Sequence, residues 1–261
     1  MLDKSELRLE LVTLAVFRRI LRDPVINALL ELLAAGRDEP DKAAAALAEY
    51  VHLLIEAGGD LGAHIGRLVL ADENAYLRAR IKGGSVPAEL EQLAHRELLA
   101  LEEVAAARLD ELAAALGVNI SFPALPSSHE GLARRYFEAM DALHTRGYGM
   151  FAEHAMFTFD RDGLRPVSVP DPVRLSELFG YDRERGEVLA NILAFLEGKP
   201  AANMLLYGDS GTGKSSTVKA IVNEYAPHGL RLVELRQNAL GNLDNLVETL
   251  AENPLKFIVY I

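Results

Sequence analysis

Two hydrophobic periods divide the chain. Through residue 147 the apolar positions recur every three or four residues; beyond it, runs of period two alternate with helical ones. Leu7, Leu11 and Leu14 open the first stripe, with Arg18 at the same spacing and Leu21 closing the segment. Asp23-Pro24 reads as an N-cap followed by proline at the first helical position, where its missing N–H would be unsatisfied anyway. Leu47, Val51, Leu54 and Ile55 form a stripe in an alanine-rich helix over 41–57, stopped by Gly58-Gly59. A further helix is expected over 62–81, closed by Gly83-Gly84. Residues 87–116 are the longest periodic segment, with Leu90, Leu93, Leu101, Val104, Leu112 and Leu116 on one face. Glu97 and Arg108 interrupt its heptads, which favours packing in a helical bundle over a free coiled coil. Ser127 and Glu130 have capping-box spacing and would open a helix running to about Thr145.

At Gly147-Tyr148-Gly149 the helical series breaks. Phe151, Ala155, Phe157 and Phe159 then alternate with smaller or polar residues, Asp160-Arg161-Asp162-Gly163 makes a turn, and Leu164–Val169 returns as a second strand. Pro166, Pro170 and Pro172 mark a connector. Beyond it strand and helix alternate: a helix over Asp182–Leu196, a strand at Met204–Tyr207, a helix over Lys214–Tyr225, a strand at Leu230–Leu235, a helix over 242–252 and a strand at Lys256–Ile261. That order predicts a parallel sheet with helices on its faces. The expected organisation is a mostly α-helical domain over 1–147, a β-hairpin and linker over 148–174, and an α/β nucleotide-binding fold over 175–261.

Composition narrows the partners. The 261 residues carry a net charge of −11, which argues against a nucleic-acid module driven by bulk electrostatics. There is no cysteine, so disulfides, thiolate zinc sites and cysteine nucleophiles are all excluded. The N-terminus has early acids and no apolar core of a secretory signal, and no apolar run is long enough to span a membrane. A cytoplasmic soluble protein is the expectation. The seven histidines show no metal-ligand spacing. Arg134-Arg135, Arg183-x-Arg185, Glu102-Glu103 and Asp110-Glu111 read as solvated helix faces.

The candidate chemistry lies in Gly208-Asp209-Ser210-Gly211-Thr212-Gly213-Lys214-Ser215, which has the P-loop pattern G-x-x-x-x-G-K-[ST] between a strand and a helix. A triphosphate is densely anionic and needs compensation from several directions. Gly208, Gly211 and Gly213 let the backbone fold around a phosphate with its N–H groups inward. The helix that follows adds free N–H donors and the positive end of its dipole. Lys214, the candidate catalytic residue, is placed to reach phosphate oxygens, Ser215 to ligate Mg²⁺, and Ser216 to touch the α-phosphate. A nucleoside triphosphate with Mg²⁺ is therefore the expected ligand, ATP being the one that the resemblance below implies. Phe257-Ile258-Val259-Tyr260-Ile261 has the character of a Walker B strand, or of one more core strand.

Leu178-Phe179-Gly180-Tyr181-Asp182-Arg183-Glu184, Gly198-Lys199-Pro200, the stretch from Leu205 to Ser216, and Val218-Lys219-Ala220 together resemble a family of bacterial predicted ATPases of the AAA+ type, catalogued as a domain of unknown function. Asn223-Glu224-Tyr225, Gly229-Leu230-Arg231-Leu232 and Lys256-Phe257-Ile258 continue the likeness, which is specific over roughly 175–261. The resemblance implies a partial P-loop NTPase core, an acidic Walker B pair directly after Ile261, and a sensor and an arginine finger downstream. It implies that Phe179, Gly180 and Tyr181 lie near the adenine; core packing is the alternative for the two aromatic rings. It also implies a sheet in which a further strand separates the P-loop strand from the last one. On that ground the 261 residues alone are expected to be poorly stable or to re-pair their strands. Position 210, often basic in the family, is serine here.

The functional expectation is ATP binding, with hydrolysis in the full-length protein driving remodelling or regulation of a protein partner held by the helical region; a homo-oligomer fits that expectation. A P-loop kinase or GTPase is one alternative, and a helical interaction scaffold with a regulatory nucleotide site is another.

Overall fold

The computed structural model describes residues 3–83, 85–120 and 122–261, so Gly84 of the expected Gly83-Gly84 stop lies outside the described residues. The chain forms two compact units, Met1–Met140 and Asp141–Ile261.

The first unit is helical. It runs through α1 (Lys4–Val12), α2 (Pro24–Ala34), α3 (Pro40–Glu56), α4 (Leu61–Ala71), α5 (Ala75–Ile81), α6 (Ala88–Ala105), α7 (Leu109–Leu116) and α8 (Leu132–Asp141). Asp23 caps α2 as expected, its carboxylate accepting from the N–H groups of Val25 and Ile26, with Pro24 at the first position. Gly58 and Gly59, both at positive φ, end α3. Leu11, Leu14, Phe17, Ile26, Leu29, Leu32, Leu47, Ile65, Leu98, Leu101 and Val104 form the buried face.

Five expectations for this unit are corrected. The first helix stops at Val12, and Arg18–Arg22 is a separate 3-10 turn. The reason is Glu97, which does more than interrupt a heptad. Its fully buried carboxylate accepts from the backbone N–H groups of Ala15 (2.8 Å), Val16 (3.0 Å) and Phe17 (3.1 Å), holding that bend open. The helix over 62–81 is two, because Asn74 leaves helical geometry and caps α5 through its bond from Leu77 N–H. The 87–116 helix is also two, broken before Arg108, whose guanidinium is bidentate on Asp110. Ser127 and Glu130 form no capping box. The Ser127 hydroxyl bonds the Ala105 carbonyl, and the next helix begins only at Leu132, where Glu102 accepts from Ala133 N–H. Glu102 is therefore a structural acceptor rather than a solvated face.

The second unit contains α9 (Leu143–Arg146), α10 (Met150–Glu153), β1 (Met156–Asp160), β2 (Gly163–Pro166), α11 (Asp182–Leu196), α12 (Lys214–Tyr225), β3 (Leu230–Leu235), α13 (Leu243–Ala251) and β4 (Lys256–Tyr260). The strand order is β2-β1-β3-β4. β3 is parallel to both β1 and β4, while β1 and β2 form the expected antiparallel hairpin, so the sheet is mixed rather than parallel. The hairpin is shorter than expected at both ends: Phe151 sits in α10, and β2 ends at Pro166. It also joins the main sheet, with Met156 opposite Leu232 and Phe159 opposite Leu235.

Both sheet faces are covered. Met156, Leu230 and Leu232 pack with Val188 and Ile192 of α11 and with Val218, Ile221 and Val222 of α12. Phe157, Phe159, Val233 and Leu235 pack on the other side with Phe151, Leu246 and Leu250. β3, in the middle, is buried along nearly all its length.

The strand expected at Met204–Tyr207 is not formed. Leu205 and Tyr207 are 86% and 88% exposed, and the segment has no regular structure. A strand is stable only when its backbone groups find a ladder partner. Among the described residues none lies alongside 204–207, and the outer edge of β4 is likewise unpaired.

Candidate functional site

α12 begins at Lys214, and the residue before it, Gly213, occupies the left-handed region at φ 81°. That conformation favours glycine, and it aims the loop across the helix start. No side chain caps this end, so the first-turn N–H groups stay available to an acceptor. Gly208 and Gly211 also have positive φ, and a side chain built at Gly211 or Gly213 would meet nothing within 4 Å. The loop thus bounds open space with a helix N-terminus beneath it.

Lys214 turns back over this loop. Its ammonium donates to the carbonyl oxygens of Gly208 (2.9 Å) and Asp209 (2.7 Å) and to Thr212 Oγ1 (3.3 Å). Thr212 Oγ1 donates in turn to Asp209 O at 2.9 Å, which tightens the turn. No carboxylate lies within ion-pair distance of Lys214 among the described residues. Its charge is held by neutral oxygens alone, which an anion can displace.

Ser215 is exposed on the first turn, and its hydroxyl lies 2.7 Å from that of Tyr260 at the end of β4. Ser216 is half-buried behind it, while Asp209 and Ser210 face solvent. One hydroxyl oxygen beside an open loop is a ligand that Mg²⁺ could use, since that ion takes few protein ligands. Among the described residues no cluster of three or more histidines and acids could hold a metal by itself.

The C-terminal end of α12, away from the loop, is tied to the connector. Asn223 of α12 donates to the carbonyl oxygens of Asp171 (2.8 Å) and Val173 (2.9 Å), and Glu224 accepts from Leu175 N–H at 2.9 Å. The prolines around 166–172 therefore mark a strap along α12.

Phe179, Gly180 and Tyr181 do not join the core. Phe179 is 90% exposed and Tyr181 59% exposed, which overturns the packing alternative for the two rings. Gly180 and Tyr181 both have positive φ, at 73° and 55°, and Tyr181 is the residue before α11. No hydrogen bond or ring contact joins 179–181 to 208–216. Arg183 pairs with Glu187 on the exposed face of α11, as a solvated face should, whereas the Arg185 side chain, which pairs with Asp182, is only 17% exposed and so corrects the solvated reading at that position. The pattern of the sequence placed Tyr260 on a core strand but gave no sign of its contact with Ser215. That contact depends on the register of β4 against α12, which no local spacing encodes.

No described helix is long and apolar enough to cross a membrane. No curated protein and no solved structure matches the chain. Residues 152–261, which include the loop, α12 and all of β3 and β4, match the profile of a family described as a protein of unknown function, DUF815.

Proposed function

We propose that residues 208–216 bind the phosphates of ATP, and that the second unit carries elements of an AAA+-type ATPase core. ATP hydrolysis would then drive a change in a protein partner held by the helical unit. The observation that carries the reading is Lys214: an ammonium held only by loop oxygens, at the head of an uncapped helix. The parallel pair β3–β4 with the crossover helix α13 between them supports the α/β part of the reading.

In this account the Lys214 ammonium exchanges the carbonyls of Gly208 and Asp209 for phosphate oxygens. The N–H groups opening α12 add further donors. Ser215 Oγ would be the protein ligand for Mg²⁺, whose positive charge would offset the negative charge of the phosphates. Phe179 and Tyr181, both displayed to solvent, are proposed to cover the base.

A nucleotide that binds only the folded state raises its stability, by about 2.7 kcal/mol at a hundredfold excess over Kd. Thermal melts with ATP, GTP and no nucleotide therefore test the proposal and its kinase or GTPase alternative together. ATP should raise the Tm by several degrees in the presence of Mg²⁺. An equal or larger shift with GTP would favour a guanine-nucleotide protein, and no shift with either would overturn the nucleotide reading.

A further inference from the structure

We propose that the Tyr260 hydroxyl is the positioning partner of the Ser215 hydroxyl, and that it sets how strongly this site depends on magnesium. The inference rests on the nucleotide reading above and deepens it, since that reading gives Tyr260 no role. Tyr260 ends β4 and Ser215 lies in the first turn of α12, yet their hydroxyl oxygens are 2.7 Å apart. The alternation of the strand brings them together. Ile258 and Tyr260 lie on the face packed against Val218, Ile221 and Val222 of α12, while Phe257 and Val259 lie on the opposite face. The ring is half-buried there, and its one polar atom ends at Ser215.

A serine hydroxyl has one proton and two lone pairs. When Oγ gives a lone pair to a cation, its proton points away from that cation and needs an acceptor. The tyrosine oxygen stands in hydrogen-bond reach to take it, and no other side chain is bonded to Ser215 Oγ among the described residues. A partner of this kind orients a metal ligand and raises its basicity. Phenylalanine at 260 keeps the ring and removes only the acceptor. The loss of one neutral hydrogen bond corresponds to roughly three- to tenfold in an equilibrium constant.

The test is calorimetric titration of ATP into the full chain, once with excess Mg²⁺ and once with EDTA, for the wild type, Tyr260→Phe, Ser215→Ala and the double variant. The readout is the ratio of the two dissociation constants for each protein. In Tyr260→Phe the magnesium enhancement should fall about three- to tenfold while the EDTA value stays unchanged. In the Ser215→Ala background the same substitution should change nothing. An unchanged ratio in Tyr260→Phe overturns the proposal. So does a raised ratio, which would make Tyr260 a competitor of the cation. A loss that appears equally in both arms also overturns it, because that marks a change in the fold. A wild type that binds ATP in neither arm defeats the nucleotide reading itself, and this inference with it.

Discussion

Two buried charges do opposite work at the level of single residues. Glu97 brings three backbone N–H groups of 15–17 to one carboxylate, so a segment that could have extended α1 turns instead. Removing that acceptor leaves buried donors with no partner, at about 1–3 kcal/mol each before relaxation. Glu97→Ala is therefore expected to lower stability by about 3 kcal/mol in urea melts; a change below about 1 kcal/mol would show that water replaces the carboxylate freely. Arg231, on β3, is the mirror case. It is buried, pairs with no carboxylate among the described residues, and donates to the carbonyl oxygens of Arg146, Phe151, Ala226 and Leu230, each at 2.9 Å. Burial holds its pKa below the ordinary value. It ties α9, α10 and the turn before β3 to the sheet. Lysine cannot reach four such acceptors, so Arg231→Lys should destabilise the second unit by about 2 kcal/mol or more, read by the same melts. Neither role was legible in the sequence. A lone Glu on an apolar stripe and an Arg in a strand carry no local mark of the distant backbone they serve.

Helix and strand identity were more legible than their limits. α11, α12 and β3 fall where their periodicity and flanking glycines and prolines put them, because in each the local pattern and the burial agree. The helices over 62–81 and 87–116 were misjudged because continuous periodicity hides a break made by a cap or an ion pair. One junction between elements gives a sharp test. Asp60 caps α4 through Ala63 N–H and also accepts from the backbone N–H and hydroxyl of Ser128. Burial alone would raise its pKa, but the bonds from the Ser128 hydroxyl and from the N–H groups of Ala63, Ser128 and Gly62 bring it below the ordinary value. A carboxyl group lowered on folding stabilises fully above its unfolded pKa of about 4, and that contribution is lost as the pH falls through the lower folded value. Asp60→Asn should therefore be less stable than wild type at pH 7 in urea melts, with the gap closing as the pH falls through the lowered folded value. Beside it, a Cβ at Gly62 would stand 2.7 Å from the backbone at Ser128 and His129, so Gly62→Ala is expected to cost about 1–3 kcal/mol. At 204–207 the pattern promised a strand and the structure gives none, because propensity without a ladder partner does not hold a strand. Hydrogen exchange should find those amides unprotected and those of β3 the slowest in the second unit; protection at 204–207 comparable to β3 would contradict the observed pairing.

For the molecule as a whole, the two units carry separate cores and different kinds of information. The helical unit contains Leu98, Leu101 and Val104 of α6 packed within its own bundle, and residues 1–140 alone should melt cooperatively by circular dichroism. The second unit carries the loop, and there the turn of glycines, the lysine and the helix start were legible, since they are local features of the sequence; the phosphate binding proposed for them is the part still to be tested. Its outer partner, Tyr260, was not. The net charge of −11 sets a further condition, since an anionic ligand must overcome a repulsive background, and Lys214 is the only side-chain cation bonded within the loop. The central claim is therefore tested most directly by calorimetric titration of Mg²⁺-ATP into wild type and Lys214→Ala. Saturable one-site binding to the wild type, weakened at least a hundredfold in Lys214→Ala while the melt in the absence of nucleotide is preserved, is the predicted result. Binding of equal strength by the two proteins, or none by the wild type, would contradict it.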